Sequence, residues 1–290
     1  MKVINNVKVI ISSSSESGPR ASADLIPQGV PESAGSPRER RRAARTGRIL
    51  ELAMRQVETR GLEGLTLQEI ARELDYTVSA LYRYFPSKDA LVAELQRRVV
   101  ALIDRKLAEV ELATSAWLGQ LAPRQRRGVV DLAPLAAAGL FYSGLAESSP
   151  QAFGLLAVSL GDPRHLVDDA RARAVIATAQ PMFNRLAAHS ERAVDAGQLE
   201  AGDSNDRILV LWSSLHGVSQ LAKLGRLAPE RLDPRRLCGS LLHALLTGWG
   251  GESARVAKTI RAVGAAGVAR ASVSAADLVH VAALGDAPPA

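Results

Sequence analysis

Apolar residues recur at helical spacing through most of this chain, and nothing between Trp117 and Trp249 alternates with the period of a strand. The pattern is densest from Leu65 to Leu91, where three short helical signals follow one another with little room between them. Thr66 and Glu69 have capping-box spacing with Leu65 placed to staple onto Ile70, so a helix starts at Thr66. Ile70, Ala71 and Leu74 share its inward face, and Gln68, Glu69, Arg72 and Glu73 lie outside. Thr77 is a second cap with Tyr76 set to staple onto Leu81, and Pro86 closes that helix near Phe85 after about two turns. Ser87 caps a third helix that carries Leu91, Leu95, Val99 and Leu102 on one face. Upstream, Ser36, Pro37 and Glu39 open a further helix that runs through Ile49, Ala53 and Val57 to a stop at Gly61.

Helices this short, this close and this well capped describe a helix-turn-helix, and sequence-specific DNA binding follows as the leading expectation. In the second of them Leu81 and Phe85 point inward, which leaves Val78, Ser79 and Tyr82 outside. Tyr82 and Tyr84 each read equally well as completing a small core or as meeting DNA. Arg72, Arg83 and Lys88 supply positive charge around the reading helix. A run of arginines, Arg38, Arg40, Arg41, Arg42, Arg45 and Arg48, crowds the first helix with Glu39 as its one acidic member. Two readings of that run stay open: a solvated charge run, or an arm along phosphate or in a minor groove.

The segment from about Arg45 to Ile103 resembles the N-terminal DNA-binding domain of the TetR (tetracycline-repressor-like) family of transcriptional regulators. The resemblance rests on Gly64-Leu65-Thr66, on the Ile-Ala-x-x-Leu from Ile70, on Leu-Tyr-x-Tyr-Phe over Leu81 to Phe85, and on Ser-Lys-Asp-x-Leu from Ser87. It implies that Thr66 and Lys88 grip phosphates, and that Thr77, Val78, Ser79, Tyr82 and Tyr84 contact bases or nearby backbone. Two positions depart from the family pattern. Asp75 stands where Gly is usual in the turn, and Tyr84 where His is frequent. Aspartate tolerates the left-handed conformation better than most residues, so the turn survives. Val78 offers bases only apolar contact, such as to a thymine methyl.

Breaks at Pro123, Pro134, Ser148 to Pro150, Gly161 to Pro163, Ala201 to Ser204 and Pro229 to Pro234 divide the remainder into helices of ordinary length. Two late helices, about Asn205 to Leu224 and Pro234 to Gly248, are Leu-rich with Ser213, Ser214, Gly217 and Gly239 interspersed. Small residues allow close helix approach, so two copies of this pair can close a four-helix interface around Leu209, Leu215, Leu237, Leu241 and Leu245. The resemblance implies the same homodimer, bound to a palindromic operator. Trp117, Phe141, Tyr142, Phe153, Met182, Phe183, Trp212 and His216, with His165 and His189, hold most of the aromatic and imidazole content of this region. Each alone reads as core. The family implies an apolar effector pocket here for a small apolar molecule, with His216 and Trp212 four apart on one helix.

The expected class is therefore all-α: a three-helix helix-turn-helix domain and a larger helical ligand-binding and dimerisation domain. The boundaries are a disordered Ser/Gly/Pro-rich tail over 1–37, the DNA-binding domain over 38–104, the effector and dimerisation domain over 105–250, and a C-terminal tail over 251–290. Within that last tail residues 256–269 could make an amphipathic helix, which Gly264 and Gly267 weaken, and two outcomes stay open, packing on the second domain or mobility. A net charge of +6 fits a nucleic-acid partner. The single cysteine, Cys238, excludes an internal disulfide, suits a cytoplasmic location and reads as core filler beside Leu241 and Leu242. No apolar run reaches the roughly 20 residues of a membrane span. No metal-ligand spacing, phosphate loop or nucleophile elbow occurs, so no catalytic residue, metal or cofactor is expected and the chain does not read as an enzyme. The expectation is a ligand-responsive repressor. An activator, an effector-independent regulator or an architectural DNA binder are the alternatives.

Overall fold

The computed structural model describes residues 36–161, 169–224, 227–228 and 230–283, and every regular element among them is a helix. The tail expected over 1–37 lies, except for Ser36 and Pro37, outside the described residues, as do His165 and residues 284–290. Helix α1 (Pro37–Arg60) opens with a reciprocal capping box. Ser36 N–H donates to Glu39 Oε2 at 2.7 Å, and Glu39 N–H donates to Ser36 Oγ at 3.3 Å. At α2 (Leu67–Glu73) only half of the expected box forms. Thr66 Oγ1 accepts from Glu69 N–H at 3.4 Å, but the Glu69 carboxylate pairs with Arg60 and Thr66 N–H donates to Gln56 Oε1 at 3.1 Å. A guanidinium within reach outcompetes a backbone N–H for a carboxylate, so tertiary contact with α1 replaces the local bond. The same guanidinium holds the Glu69 carboxyl below the usual carboxylate range.

Helix α3 (Val78–Tyr82) is shorter than expected. Thr77 Oγ1 caps it by accepting from Ala80 N–H at 3.2 Å. Beyond Tyr82 the chain tightens into a turn, with Tyr84 and Phe85 N–H both donating to Leu81 O at 2.8 and 2.9 Å. Pro86 biases Phe85 away from helical angles, which stops the helix early. Asp75, in the turn between α2 and α3, has φ 55°, and among the described residues it is the non-glycine residue at positive φ.

Helix α4 (Lys88–Gln120) starts where Ser87 Oγ accepts from Ala90 N–H at 3.0 Å, and runs for 33 residues, about 50 Å, without a break. The domain boundary expected at 104 therefore falls inside a helix. No Gly or Pro interrupts the turn around Ile103, Asp104 and Arg105. Buried residues from Leu91 to Leu118 join one continuous core that includes Leu50 of α1.

The second half of the chain is built on α6. After the short α5 (Pro123–Arg127) come α6 (Ala133–Ser148), α7 (Pro150–Gly161), α8 (Asp169–Asp195), α9 (Ser204–Gln220) with a 3-10 turn at Leu221–Leu224, and α10 (Pro234–Gly248). Helix α6 packs against α4, α7, α8, α9 and α10. Its Ala136-Ala137-Ala138-Gly139 run makes this possible, since small side chains let neighbouring axes come close. A Cβ on Gly139 would clash with Leu242 Cδ2 of α10. Arg185 of α8 joins it to α4, donating to Asp104 Oδ1 at 2.6 Å and Glu111 Oε2 at 3.0 Å.

The segment from 251, expected as a tail with a helical stretch over 256–269, forms α11 (Ser253–Ala266) on α6 and α10, and α12 (Ala275–Ala283) on α4. Val256, Val263, Val273 and Leu278 are fully buried. The two glycines do not break α11. Gly264 lies near its end, and Gly267 terminates it in the left-handed conformation at φ 70°. A box between Ser274 and Asp277 starts α12, Arg98 Nη1 of α4 donates to Val281 O at 3.2 Å, and Ser149 Oγ donates to Val273 O.

The Asp75 turn yields a stability test. A non-glycine residue in the left-handed region costs about 1–2 kcal/mol, and aspartate recovers part of it locally. Asp75→Gly is expected to raise the unfolding free energy by up to about 1 kcal/mol, and Asp75→Val to lower it by about 1–2 kcal/mol, in urea titrations. A glycine variant less stable than the parent would mean that the Asp75 carboxylate, not the backbone, governs this turn.

Candidate functional site

The outer face of the helix-turn-helix is made by side chains that the caps and the small core force outward. Leu81 and Phe85 are buried, which turns Tyr82 to solvent at 49% exposure. Thr77, Ser79 and Arg83 are also exposed, and Val78 and Tyr84 are half-buried. Lys88, in the first turn of α4, and Arg45, on α1, are exposed cations, while Thr66 is half-buried with its hydroxyl committed to capping α2. Tyr84 differs from its neighbours. The Arg42 guanidinium lies 5.9 Å from its ring centroid, and a hydrogen bond to Tyr84 raises the Arg45 pKa above the usual guanidinium value. Tyr84 thus links the end of α3 to α1, and its ring is less free than that of Tyr82.

A cavity of about 30 Å³ lies between α4, α6, α8 and α9. Ile103 and Leu107 of α4, Ala138, Gly139, Phe141 and Tyr142 of α6, Met182, Phe183 and Leu186 of α8, and Ile208, Leu211, Trp212 and Leu215 of α9 line it. Of the aromatic cluster picked out from sequence, Phe141, Tyr142, Met182, Phe183 and Trp212 are in the wall. His216 and Phe153 stand directly behind it, stacked with centroids 4.7 Å apart. Trp117 is not there: it sits half-buried near the far end of α4, about 21 Å along the helix axis from Ile103. The aliphatic wall residues carried no compositional signal, because they look like any core Leu or Ile.

One polar chain enters this apolar site. Tyr142 Oη and His216 Nδ1 are 2.8 Å apart, and His216 Nε2 lies 3.1 Å from the Gln220 amide. Burial pushes the Tyr142 hydroxyl well above its ordinary pKa against an opposing hydrogen bond from Trp212, and burial holds the imidazole below its own. Both groups are therefore neutral near pH 7. The wall residues Met182 and Phe183 directly follow Pro181, which lies inside α8 and cannot supply the N–H that would bind the Ala177 carbonyl.

The late helices present a second surface. On α9, Val210, Ser213 and Gly217 form an exposed stripe that Leu221 of the following 3-10 turn continues, and on α10 half-buried Leu237, Leu241 and Leu245 flank exposed Ser240 and Ala244. Leu209 is half-buried beside the first stripe. Leu215 does not belong to this surface: it is 2% exposed and faces the cavity, so its place among the expected dimer contacts is corrected. Both faces of α9 are apolar, and spacing alone could not say which one turns inward. Cys238 is fully buried, and burial lifts its thiol to about 11, so it lacks the thiolate needed for redox sensing at neutral pH.

With this geometry in place, residues 49–95 match the family model described as bacterial regulatory proteins, tetR family. An uncharacterised HTH-type transcriptional regulator from the dhlA 5' region of Xanthobacter autotrophicus is 38% identical over 55 residues, which cover 19% of this chain and 27% of that protein. Among solved structures, a protein of unknown function from Rhodococcus sp. RHA1 is similar at 21% identity and a TM-score of 0.49, over 76% of this chain and 98% of the other. SmeT, the repressor of the Stenotrophomonas maltophilia multidrug efflux pump SmeDEF, is similar at 21% identity and a TM-score of 0.45, over 70% of this chain and 88% of its own. The family model covers α2, α3 and the capped start of α4, the same elements whose outer face is described above. Over residues 49–95 the chain is thus similar to the tetR family of bacterial regulatory proteins, and it spans about a quarter of the length of the curated relative it matches.

Proposed function

We propose that this protein is a homodimeric transcriptional repressor that reads a palindromic operator and leaves it when a small molecule fills the helical domain. The observation that carries the reading is Tyr82: a large aromatic left half-exposed on a short helix whose other large residues are buried. Thr77, Ser79 and Arg83 beside it offer hydroxyl and guanidinium contacts to base edges and phosphate, and Val78 an apolar edge. Lys88, Arg45 and Thr66 take the phosphate-positioning role, with Tyr84 bracing α3 against α1. Two copies joined through the exposed stripes of α9 and α10 would present two such helices to successive major grooves. Ligand in the cavity would press on Ile103 and Leu107 of α4, the helix whose first turn carries Lys88. Gln96 of α4 donates to Leu155 O of α7 at 2.7 Å, and Gln151 of α7 donates to Glu58 O of α1 at 3.3 Å, so the load also reaches α1. Release then requires different ligand affinity in the free and bound conformations.

Selection of duplexes from a random pool tests the reading directly. The parent is expected to enrich a palindrome, and Tyr82→Ala to lose at least about tenfold in affinity for it, since one base contact is worth about 1–3 kcal/mol, while melting normally. Lys88→Ala should weaken all duplexes alike and flatten the salt dependence. Equal recovery of every sequence by parent and variant would replace the repressor with an architectural binder.

The assembly has its own test. Paired charges at Val210→Glu and Leu221→Glu should convert a dimer to a monomer in sedimentation and remove operator binding, whereas Leu112→Glu, at the 72% exposed position on α4, should do neither. A double variant that still sediments as a dimer would move the interface elsewhere.

A further inference from the structure

The cavity wall has an unusual chemical balance. Its lining contains no ionisable carboxylate, ammonium or guanidinium, yet two hydrogen-bonding groups, the Tyr142 hydroxyl and the Trp212 indole N–H, stand among aliphatic and aromatic carbons. The hydroxyl is not simply a core group satisfied by backbone. It is held by His216, which is held in turn by Gln220, so a three-residue polar chain ends at the cavity. Orienting a buried hydroxyl this way leaves it ready to meet a further polar atom at low reorganisation cost. The surrounding rings are set edge-on, with Phe183 and Trp212 at 5.7 Å and 87°, an arrangement whose faces suit a flat aromatic guest.

Resting on the reading of this cavity as the effector site, we propose that it selects uncharged, flat aromatic molecules carrying one hydroxyl or carbonyl oxygen. The Tyr142 hydroxyl, braced by His216 and Trp212, is the group that recognises the oxygen. Acids and ammonium compounds are rejected, because entry strips their hydration and the wall supplies no counter-charge. The space as it stands holds little more than a water molecule, so entry needs the wall to move. Met182 is an adaptable side chain, and it follows the break that Pro181 makes in the α8 hydrogen-bond ladder, which puts the yielding part of the wall beside the guest.

A matched series of naphthalenes, titrated into the full chain by calorimetry and by Trp fluorescence, tests this. 2-Naphthol should bind about tenfold more tightly than 2-methylnaphthalene, while 2-naphthoate and 2-naphthylmethylammonium should not bind detectably. In Tyr142→Phe, a one-atom deletion, the advantage of naphthol over methylnaphthalene should shrink to about threefold or less with methylnaphthalene itself little changed. The proposal is overturned if either ion binds as well as naphthol, if the naphthol advantage survives in the variant, or if no member of the series binds. The same compounds are then added to the complex with the selected operator. A neutral ligand that binds by these rules but leaves DNA bound defeats the effector reading and keeps the ligand class, whereas a charged compound that releases DNA does the opposite.

Discussion

Helix α4 has to satisfy two apolar surfaces at once, and the rest of the structure follows from how it does so. Its first turns bury Leu91 and Leu95 in the core shared with α1, and its later turns place Ile103 and Leu107 in the cavity wall. A helix that continues across the junction transmits displacement, because its backbone hydrogen bonds would have to break for one half to move without the other. The buried polar residues on α4 add to this. Gln96 and Arg98 each reach a carbonyl of another helix, α7 in one case and α12 in the other, so the connector is held at defined points along its length.

Around that helix, α6 supplies the space. Its alanines and Gly139 contribute little hydrophobic area of their own, and what they allow is proximity: Leu242 reaches the backbone of α6, and the walls from α4, α8 and α9 converge on Phe141 and Tyr142. Close approach on one side and bulky aromatics on the other leave a small void between them. The void is dry-walled except where Tyr142 and Trp212 enter it, and the neutral His216 behind Tyr142 keeps charge out of the site.

The two proposed activities use opposite treatments of tyrosine. Tyr82 is exposed because Leu81 and Phe85 take the inward positions of a very short helix, and Tyr142 is buried with its hydroxyl paired. Tyr84 is intermediate, held by Arg42 and Arg45 of α1. In the proposed function the same side chain would serve as a reading element, a recognition element and a brace, according to what surrounds it.

Much of the helix-turn-helix was legible in the sequence, because its determinants are local. Thr66, Thr77 and Ser87 cap their helices through bonds spanning three residues, and Pro86 ends α3 by its own covalent geometry. The family pattern lies in the same short stretch. Elsewhere local signals were ambiguous or overruled. Glu69 turned to Arg60 instead of closing its box, and Leu215 turned inward because α9 is apolar on both sides. Residues from Ser253 onward fold back onto α4, α6 and α10, although their glycines weakened the helical pattern. Cap chemistry, helix identity and the positions of the major breaks were thus determined by the sequence alone, since each depends on atoms a few residues apart. Only the tertiary structure decided which helix face is buried, which aromatic residues meet at the cavity and that Trp117 does not, because those outcomes depend on partners far away along the chain.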